Sequence, residues 1–277
     1  MPNFHLLISA WASGLKLYDR QEAESLVRWL FEHHLDYRRS DGFKEVDEAS
    51  FPSKLFADFE RVKTGEPIQY IFGKGPFYGR DFYVDSFTLI PRNETEELVH
   101  LIIKENSEVG LKILDIGTGT GCIPISLDLE MNTPEVFGVD ISEEALCVAN
   151  KNAVALDSKV TFLTCDILSQ IPDVPKLDIL ISNPPYVLMS EKSQMHQNVL
   201  DFEPEMALFV SNDDPLLFYS AIANKGLHLL KGGGKLYFEI NEKYGNGVVQ
   251  LLTELGYSEV RLKKDLNGKD RMVKAIR

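Results

Sequence analysis

The segment Asp115-Ile116-Gly117-Thr118-Gly119-Thr120-Gly121 directly follows the apolar run that begins at Lys112 and opens a second apolar stretch of helical length. Glycine is needed where a backbone takes positive φ or touches a ligand. A glycine-rich turn between a strand and a helix is where open α/β sheets hold nucleotides. The spacing here is G-x-G-x-G, whereas the dinucleotide fingerprint G-x-G-x-x-G would put its third glycine at Cys122. The phosphate-cradling G-x-x-x-x-G-K-[ST] pattern is absent as well. The loop thus argues for a nucleotide-binding type of sheet but against both a nicotinamide and a Walker-type phosphate site.

The pattern around the loop agrees. After Pro91 a helix through Glu96 to Lys104 leads into alternating strands and helices, the signature of a doubly wound α/β sheet. Strands are predicted at Lys112 to Asp115, Val136 to Asp140, Val160 to Leu163, Leu177 to Ser182, Lys235 to Ile240, Glu259 to Lys263 and Met272 to Ala275. A helix is expected to begin near Pro215 and to stop before Gly232-Gly233-Gly234. The amino-terminal part reads differently. Ala23, Leu26, Val27, Leu30 and Phe31 fall at helical spacing, and Leu55, Phe56, Phe59 and Val62 share one face of a second helix from about Pro52 to Lys63. Both stripes need partners, which predicts a small helical bundle over residues 1–66. From Ile68 to Ile90 short β-like pieces punctuated by glycines suggest a hairpin linker over 67–92, with a catalytic domain at 93–277.

Three aspartates close the first three predicted strands near the glycine loop. Asp140 can accept both hydroxyls of a ribose, a role shared by dinucleotide and S-adenosylmethionine sites. Asp166 can accept from an adenine amino group while Ile167 covers the ring, and Asp115 either orients the loop or meets a ligand ammonium. Each is also an ordinary strand-end turn residue; their convergence is what points to a nucleoside. Ser142 is expected to cap the helix after Asp140, with Glu143 and Glu144 in its first turn.

Asn183-Pro184-Pro185-Tyr186 follows the apolar run Leu177 to Ser182, again at a strand's carboxyl end. Each proline fixes its own φ and removes a backbone donor, and Pro184 keeps Asn183 out of the helical region. The result is a stiff loop with an amide, a carbonyl and an aromatic face, able to hold a planar amide or amidine nitrogen. The same residues also make an ordinary proline-rich turn, so the rest of the chain has to decide.

A formal charge of -13 disfavours bulk binding to nucleic acid through phosphate neutralisation. The three cysteines lack close spacing, and the adjacent His33 and His34 would point about 100° apart on a helix, so neither a disulfide framework, a zinc site nor any other metal site is expected. The histidines read as solvated or helix-face residues. No run approaches the roughly 18 apolar residues of a membrane span, and cytoplasmic residence fits best.

With these pieces in place the chain resembles the class I S-adenosylmethionine-dependent methyltransferases, and within them the HemK/PrmC family of protein-(glutamine-N5) methyltransferases. The residues that carry the resemblance are Gly65-Glu66-Pro67-Ile68-Gln69-Tyr70, Leu89-Ile90-Pro91-Arg92 with Glu94-Thr95-Glu96, the glycine loop, Ser182 to Tyr186, Phe202-Glu203-Pro204 with Ala207-Leu208, and Asp270-Arg271. The resemblance implies a Rossmann-like seven-stranded sheet, a helical amino-terminal domain that docks substrate, and a hairpin linker. It implies S-adenosylmethionine as cofactor, held by Asp115, Gly117, Thr118, Gly119, Thr120, Gly121, Asp140, Asp166, Ile167 and Asn183. As partner it implies the peptide-chain release factors, through the glutamine of their Gly-Gly-Gln motif, with no membrane or direct nucleic-acid contact. The chain departs from the pattern at Asn93, Phe202, Val210-Ser211, Asn241 and Tyr244.

By the same resemblance the Asn183 side-chain oxygen and the Pro184 carbonyl accept the two N–H groups of the substrate amide, Tyr186 stacks on it and Pro185 keeps the turn in shape. Glu94-Thr95-Glu96 either close the cofactor pocket near the methionine carboxylate, with Thr95 as the donor, or simply begin a helix, and Arg92 is either a carboxylate partner or a surface charge. Asn-Pro-Pro-Tyr also serves amino-group methyltransferases acting on adenine, so an adenine-N6 methyltransferase of DNA or RNA is the alternative. The acidic charge and the lack of a basic recognition segment weigh against it.

Overall fold

The computed structural model describes all 277 residues. Internal contacts divide the chain into two compact units, Met1–Gly73 with His196–Phe202, and Lys74–Met195 with Glu203–Arg277.

The first unit is built on α1 (Phe4–Ala12), α2 (Arg20–Leu35) and α3 (Ser53–Lys63). Asn3 and Asp19 cap the first two, accepting from Leu6 and Glu22 N–H at 2.9 Å each. The predicted stripe of α2 buries Ala23, Val27, Leu30 and Phe31 against Leu7, Ile8 and Trp11 of α1 and Leu55 and Val62 of α3. The face of α3 is narrower than predicted, for Phe56 is exposed and Asp58 is buried in the bundle. Asp58 Oδ2 accepts from His34 Nε2 at 2.9 Å, so His34 is a core partner rather than a solvated residue. His33 stacks on Phe72 with ring centroids 4.0 Å apart.

Ile68–Phe72, expected as a β-like piece, is instead a single helical turn, α4. Pro67 presets its entry, Gly73 ends it at φ 67°, and Ile68 and Ile71, three apart, are the two residues it buries. Over so few residues an apolar run has no period of its own.

The second unit opens with the hairpin β1 (Lys74–Phe77) and β2 (Arg80–Tyr83), whose two turn residues, Tyr78 and Gly79, both have positive φ, at 48° and 74°. There follow α5 (Asn93–Glu105), β3 (Lys112–Ile116), α6 (Cys122–Glu130), β4 (Glu135–Asp140), α7 (Glu143–Ala155), β5 (Thr161–Thr164), β6 (Leu177–Ser182) and the short β7 (Val187–Leu188). Helix α8 (Gln197–Phe202) packs with the first unit. The chain continues through α9 (Glu205–Leu208), β8 (Phe209–Val210), α10 (Leu217–Leu229), β9 (Leu230–Glu239), α11 (Gly245–Glu254), β10 (Ser258–Lys264) and β11 (Asp270–Ile276).

The main sheet has seven strands in the order β5-β4-β3-β6-β9-β11-β10, all parallel except β11, which is antiparallel to both neighbours. One face packs on α10 and α11 through Leu114, Leu180, Ile222, Phe238, Val248 and Leu252, and the other on α5, α6 and α7. Coverage on both faces explains why β6 reads as an unbroken apolar run rather than an alternation. Strand β9 starts five residues earlier than predicted and absorbs Gly232-Gly233-Gly234 in a register break, with Leu230 opposite Leu177 and Lys235 opposite Ile179. The wider spacing on one strand makes this a bulge, with Gly233 at φ 80°. No helix is long and apolar enough to cross a membrane.

Gly226 of α10 packs closely, for an added Cβ would lie 3.1 Å from Leu180 of β6 and 2.5 Å from the Tyr257 hydroxyl, which itself donates to the Ala223 carbonyl at 2.8 Å. Gly226→Ala is expected to lower stability by about 1–3 kcal/mol in urea unfolding, and by less in a Tyr257→Phe background. An unchanged midpoint would contradict this packing.

Candidate active site

In open α/β sheets ligands sit at the carboxyl ends of the strands where the order reverses, here between β3 and β6. Those two strands run side by side, with Asp115 opposite Ile181 and Ile116 opposite Ser182, so the glycine loop and Asn183 leave the sheet as neighbours. Ser182 Oγ donates to the Ile116 carbonyl at 2.7 Å and ties the two strand ends together.

The loop after β3 is held from the β4 side. Gly117 and Thr118 both donate their N–H to the Val139 carbonyl, at 2.9 and 3.0 Å, and Gly121 N–H closes a turn on the Thr118 carbonyl at 2.8 Å. Gly117, Gly119 and Gly121 have φ of 73°, 52° and 77°. A Cβ on Gly121 would press to 3.1 Å on Ile125 and Phe162, whereas on Gly117 or Gly119 it would meet no protein atom within 4 Å. Gly121 therefore serves packing under α6, while the other two present bare backbone on the open side.

Asp140 holds the loop from below, accepting Gly119 N–H at 2.8 Å on one carboxylate oxygen and Ser142 N–H at 3.0 Å on the other. Each oxygen keeps a lone pair for a hydroxyl. Ser142 caps α7 by accepting from Ala145 N–H at 3.0 Å. Asp166 is engaged within its own turn by Leu168 N–H at 2.9 Å and Ser169 Oγ at 2.8 Å, and Ile167 is buried beside it. The three aspartates thus stand at the ends of three adjacent strands.

Asp115 is the least satisfied group in the protein. It is fully buried, and neither carboxylate oxygen makes a well-formed hydrogen bond to the protein. Burial raises its pKa to about 7, against a smaller lowering by the nearby Thr118 hydroxyl and with a smaller push from the charge of Asp140. An orphaned acid under a cradle of bare glycine backbone, next to a carboxylate with free lone pairs, fits a ligand that carries both an ammonium group and a ribose.

On the other side of the switch point, Asn183 Nδ2 donates to Thr95 Oγ1 at 3.3 Å, and Thr95 Oγ1 donates to Glu239 Oε2 at 2.7 Å. Tyr186 OH donates to Glu239 Oε1 at 3.2 Å, and Tyr219 OH reaches the Glu239 carbonyl at 3.3 Å. Glu239 is 1% exposed and burial raises its pKa. With Glu239 ionised, the Thr95 hydroxyl proton goes to Glu239 in this arrangement. Asn241, a departure from the family pattern, donates from Nδ2 to the Tyr186 carbonyl at 3.3 Å while its Oδ1 accepts Lys243 N–H at 3.0 Å, bracing the proline turn. Arg92 is a carboxylate partner: its guanidinium meets both oxygens of buried Glu203 at 2.7 and 2.8 Å, and Ile90 N–H adds a bond at 3.2 Å.

Glu239 and Glu203 were missed as site residues by sequence reasoning. Glu203 lies inside the Phe202-Glu203-Pro204 motif and Glu239 near the end of a predicted strand, so the signal available was a charged residue in an otherwise apolar loop or strand end.

The sheet order, the glycine cradle and the ribose-type aspartate define a class I S-adenosylmethionine-dependent methyltransferase. A family pattern described as a methyltransferase domain matches residues 107–227, and one described as the PrmC N-terminal domain matches residues 7–73. The chain is 51% identical over 218 residues to the release factor glutamine methyltransferase of Bacteroides thetaiotaomicron, covering 78% of each chain. With its counterparts in Flavobacterium psychrophilum and Bacillus subtilis the identities are 43% and 38%, covering 93% of both chains in the first case and 96% of this chain and 95% of the other in the second. Among solved structures, a methyltransferase from Pyrococcus furiosus shares the fold, with a TM-score of 0.53 at 17% identity, covering 81% of this chain and 98% of that one. This chain belongs to the release factor glutamine methyltransferase family.

The buried Asp115 sets a pH dependence for the ligand-free protein. Its carboxyl binds a proton more tightly folded, with a pKa of about 7, than unfolded, near 3.9, so stability falls as pH rises between those values and stays low above them. Asp115→Asn is expected to remove that slope in urea unfolding from pH 4 to 8. It should be the more stable protein at pH 8, by up to ~4 kcal/mol, and no more stable than wild type at pH 4. Parallel curves would contradict the assignment.

Proposed function

We propose that this chain methylates the side-chain amide nitrogen of the glutamine in the Gly-Gly-Gln motif of peptide-chain release factors, in the cytoplasm. The observation that carries the reading is the hydrogen-bonded setting of Asn183: with Nδ2 directed to Thr95, its carbonyl oxygen is the end left to accept from a substrate. When bound, S-adenosylmethionine would supply an electrophilic sulfonium methyl to an amide nitrogen by in-line displacement, the S–CH3 bond breaking as N–CH3 forms and S-adenosylhomocysteine leaving.

The difficulty lies in the nucleophile, because an amide lone pair is delocalised into its carbonyl. Asn183 Oδ1 and the Pro184 carbonyl would each take one N–H of the glutamine amide, stabilising positive charge as it develops on nitrogen. Preorganised dipoles of this kind are worth roughly 3–4 kcal/mol each, and alignment contributes about 7–11 more. No strong base is required, since the nitrogen carries its excess proton only after attack, when water can take it. Tyr186, held by Glu239 and Asn241, would stack on the amide plane, and Pro185 would fix the turn. Asp140 would hold the ribose of the cofactor and Asp115 its ammonium, with Gly117, Thr118, Gly119, Thr120 and Gly121 as the cradle. Asp166 and Ile167 would take the adenine. The helical segment of residues 1–66 would dock the release factor, with 67–92 as linker and 93–277 as the catalytic part.

Labelled S-adenosylmethionine incubated with the protein and either a release factor or duplex DNA tests the reading. Label is expected in the release factor; label in DNA alone would favour the adenine alternative. Asn183→Ala should slow turnover about a hundredfold or more while leaving cofactor affinity nearly intact. Unchanged turnover would remove Asn183 from the chemistry.

A further inference from the structure

A side-chain amide can present either end to a substrate, and only the carbonyl end of Asn183 can accept an N–H. Some other group must therefore choose its orientation. The groups around Asn183 form a chain with a defined direction. Glu239, as a carboxylate, can only accept, and it is approached by two hydroxyls, Thr95 Oγ1 at 2.7 Å and Tyr186 OH at 3.2 Å. A hydroxyl has one proton. Once Thr95 gives that proton to Glu239, its oxygen can only accept from Asn183, at 3.3 Å from Nδ2. Thr95 is 3% exposed and Glu239 1%, so water does not compete readily along this line.

We infer that Glu239 is a positioning residue for methyl transfer, which acts through Thr95 to turn the Asn183 carbonyl toward the substrate amide and, through the second oxygen, fixes the Tyr186 ring. This inference rests on the methyl-transfer reading given above. It names a role for a carboxylate that would touch neither cofactor nor substrate.

The relay holds only while Glu239 is ionised. A protonated Glu239, or a glutamine in its place, can donate to Thr95. Thr95 would then be free to give its own proton to Asn183 Oδ1 and so reverse the amide. The groups facing Glu239 are Thr95 and Glu94 from α5, Tyr186 from the loop after β6, Tyr219 from α10 and Arg271 from β11. Arg271 opposes the effect of burial, and Arg271 itself is held by Asp265 at 3.2 Å.

The test compares full-length wild type, Glu239→Gln, Thr95→Val and Thr95→Ser. Cofactor affinity is measured by calorimetry, kcat at saturating cofactor as a function of pH, and exchange of the Asn183 side-chain amide protons by NMR. Glu239→Gln and Thr95→Val are expected to lose tenfold or more in kcat, in line with a removed dipole, to bind cofactor within about twofold of wild type, and to lose protection of the Asn183 amide. Thr95→Ser keeps the hydroxyl and should keep kcat within about threefold. Wild-type kcat should fall toward low pH, and that limb should be missing in Glu239→Gln. The calorimetric measurement separates misfolding from misalignment, and Thr95→Val carries the test should Glu239→Gln fail to fold. Wild-type kcat and pH profile in Glu239→Gln, or unchanged Asn183 protection in both variants, would overturn the inference. Asn183 protection present in wild type and lost in both variants, with a wild type that transfers no methyl to glutamine, would leave the relay standing and refute the functional reading.

Discussion

The hydrogen bond from Ser182 Oγ to the Ile116 carbonyl, 2.7 Å long and fully buried, fastens the two strands at whose ends the chemistry is assembled. It lies where the sheet order reverses, so the chains leaving β3 and β6 must diverge to opposite faces. That divergence leaves a crevice with bare glycine backbone on one wall and a stiff proline turn on the other. Everything else in the second unit supports this adjacency. The buried apolar faces of β3 and β6 lock the register, and a slip of one residue would send Asp115 and Ser182 to the wrong sides of the sheet.

Two buried acids on opposite walls show two uses of the same residue type. Glu239 is satisfied by two hydroxyls and directs their protons, so its charge is spent on orientation. Asp115 makes no well-formed hydrogen bond, and its raised pKa records a destabilised group that a cationic or donating ligand would relieve. The first arrangement fixes the proposed acceptor wall before any substrate arrives. The second makes the ligand-free fold less stable than it would be with a neutral side chain, a pattern expected of a site selected for binding rather than stability.

Much of this was legible in the sequence because it rests on local rules. The glycine loop, the strand-end aspartates, the Ser142 cap and the proline turn each follow from backbone chemistry within a few residues, and the strand–helix alternation follows from period. What was not legible depends on distant pairing. Thr95 and Glu239 are 144 residues apart, and nothing near either predicts that one hydroxyl serves the other. The same holds for Glu203 and Arg92, 111 residues apart, and for His34 and Asp58 in the bundle. The α4 turn failed for a different reason, since five residues between Pro67 and Gly73 are too few to display a helical or a strand period. Helix α10 stops before the triglycine at 232–234 as expected, but β9 begins earlier than expected because it extends to meet Leu177, which makes the triglycine a bulge.

The central claim is that Asn183 and Pro184 hold the glutamine amide by its two N–H groups. A crystal structure with S-adenosylhomocysteine and a Gly-Gly-Gln peptide tests it most directly. The account predicts the glutamine nitrogen within about 2.7–3.2 Å of both Asn183 Oδ1 and the Pro184 carbonyl, with the amide plane against Tyr186. A glutamine whose carbonyl faces Asn183, or whose nitrogen lies away from both oxygens, would contradict it.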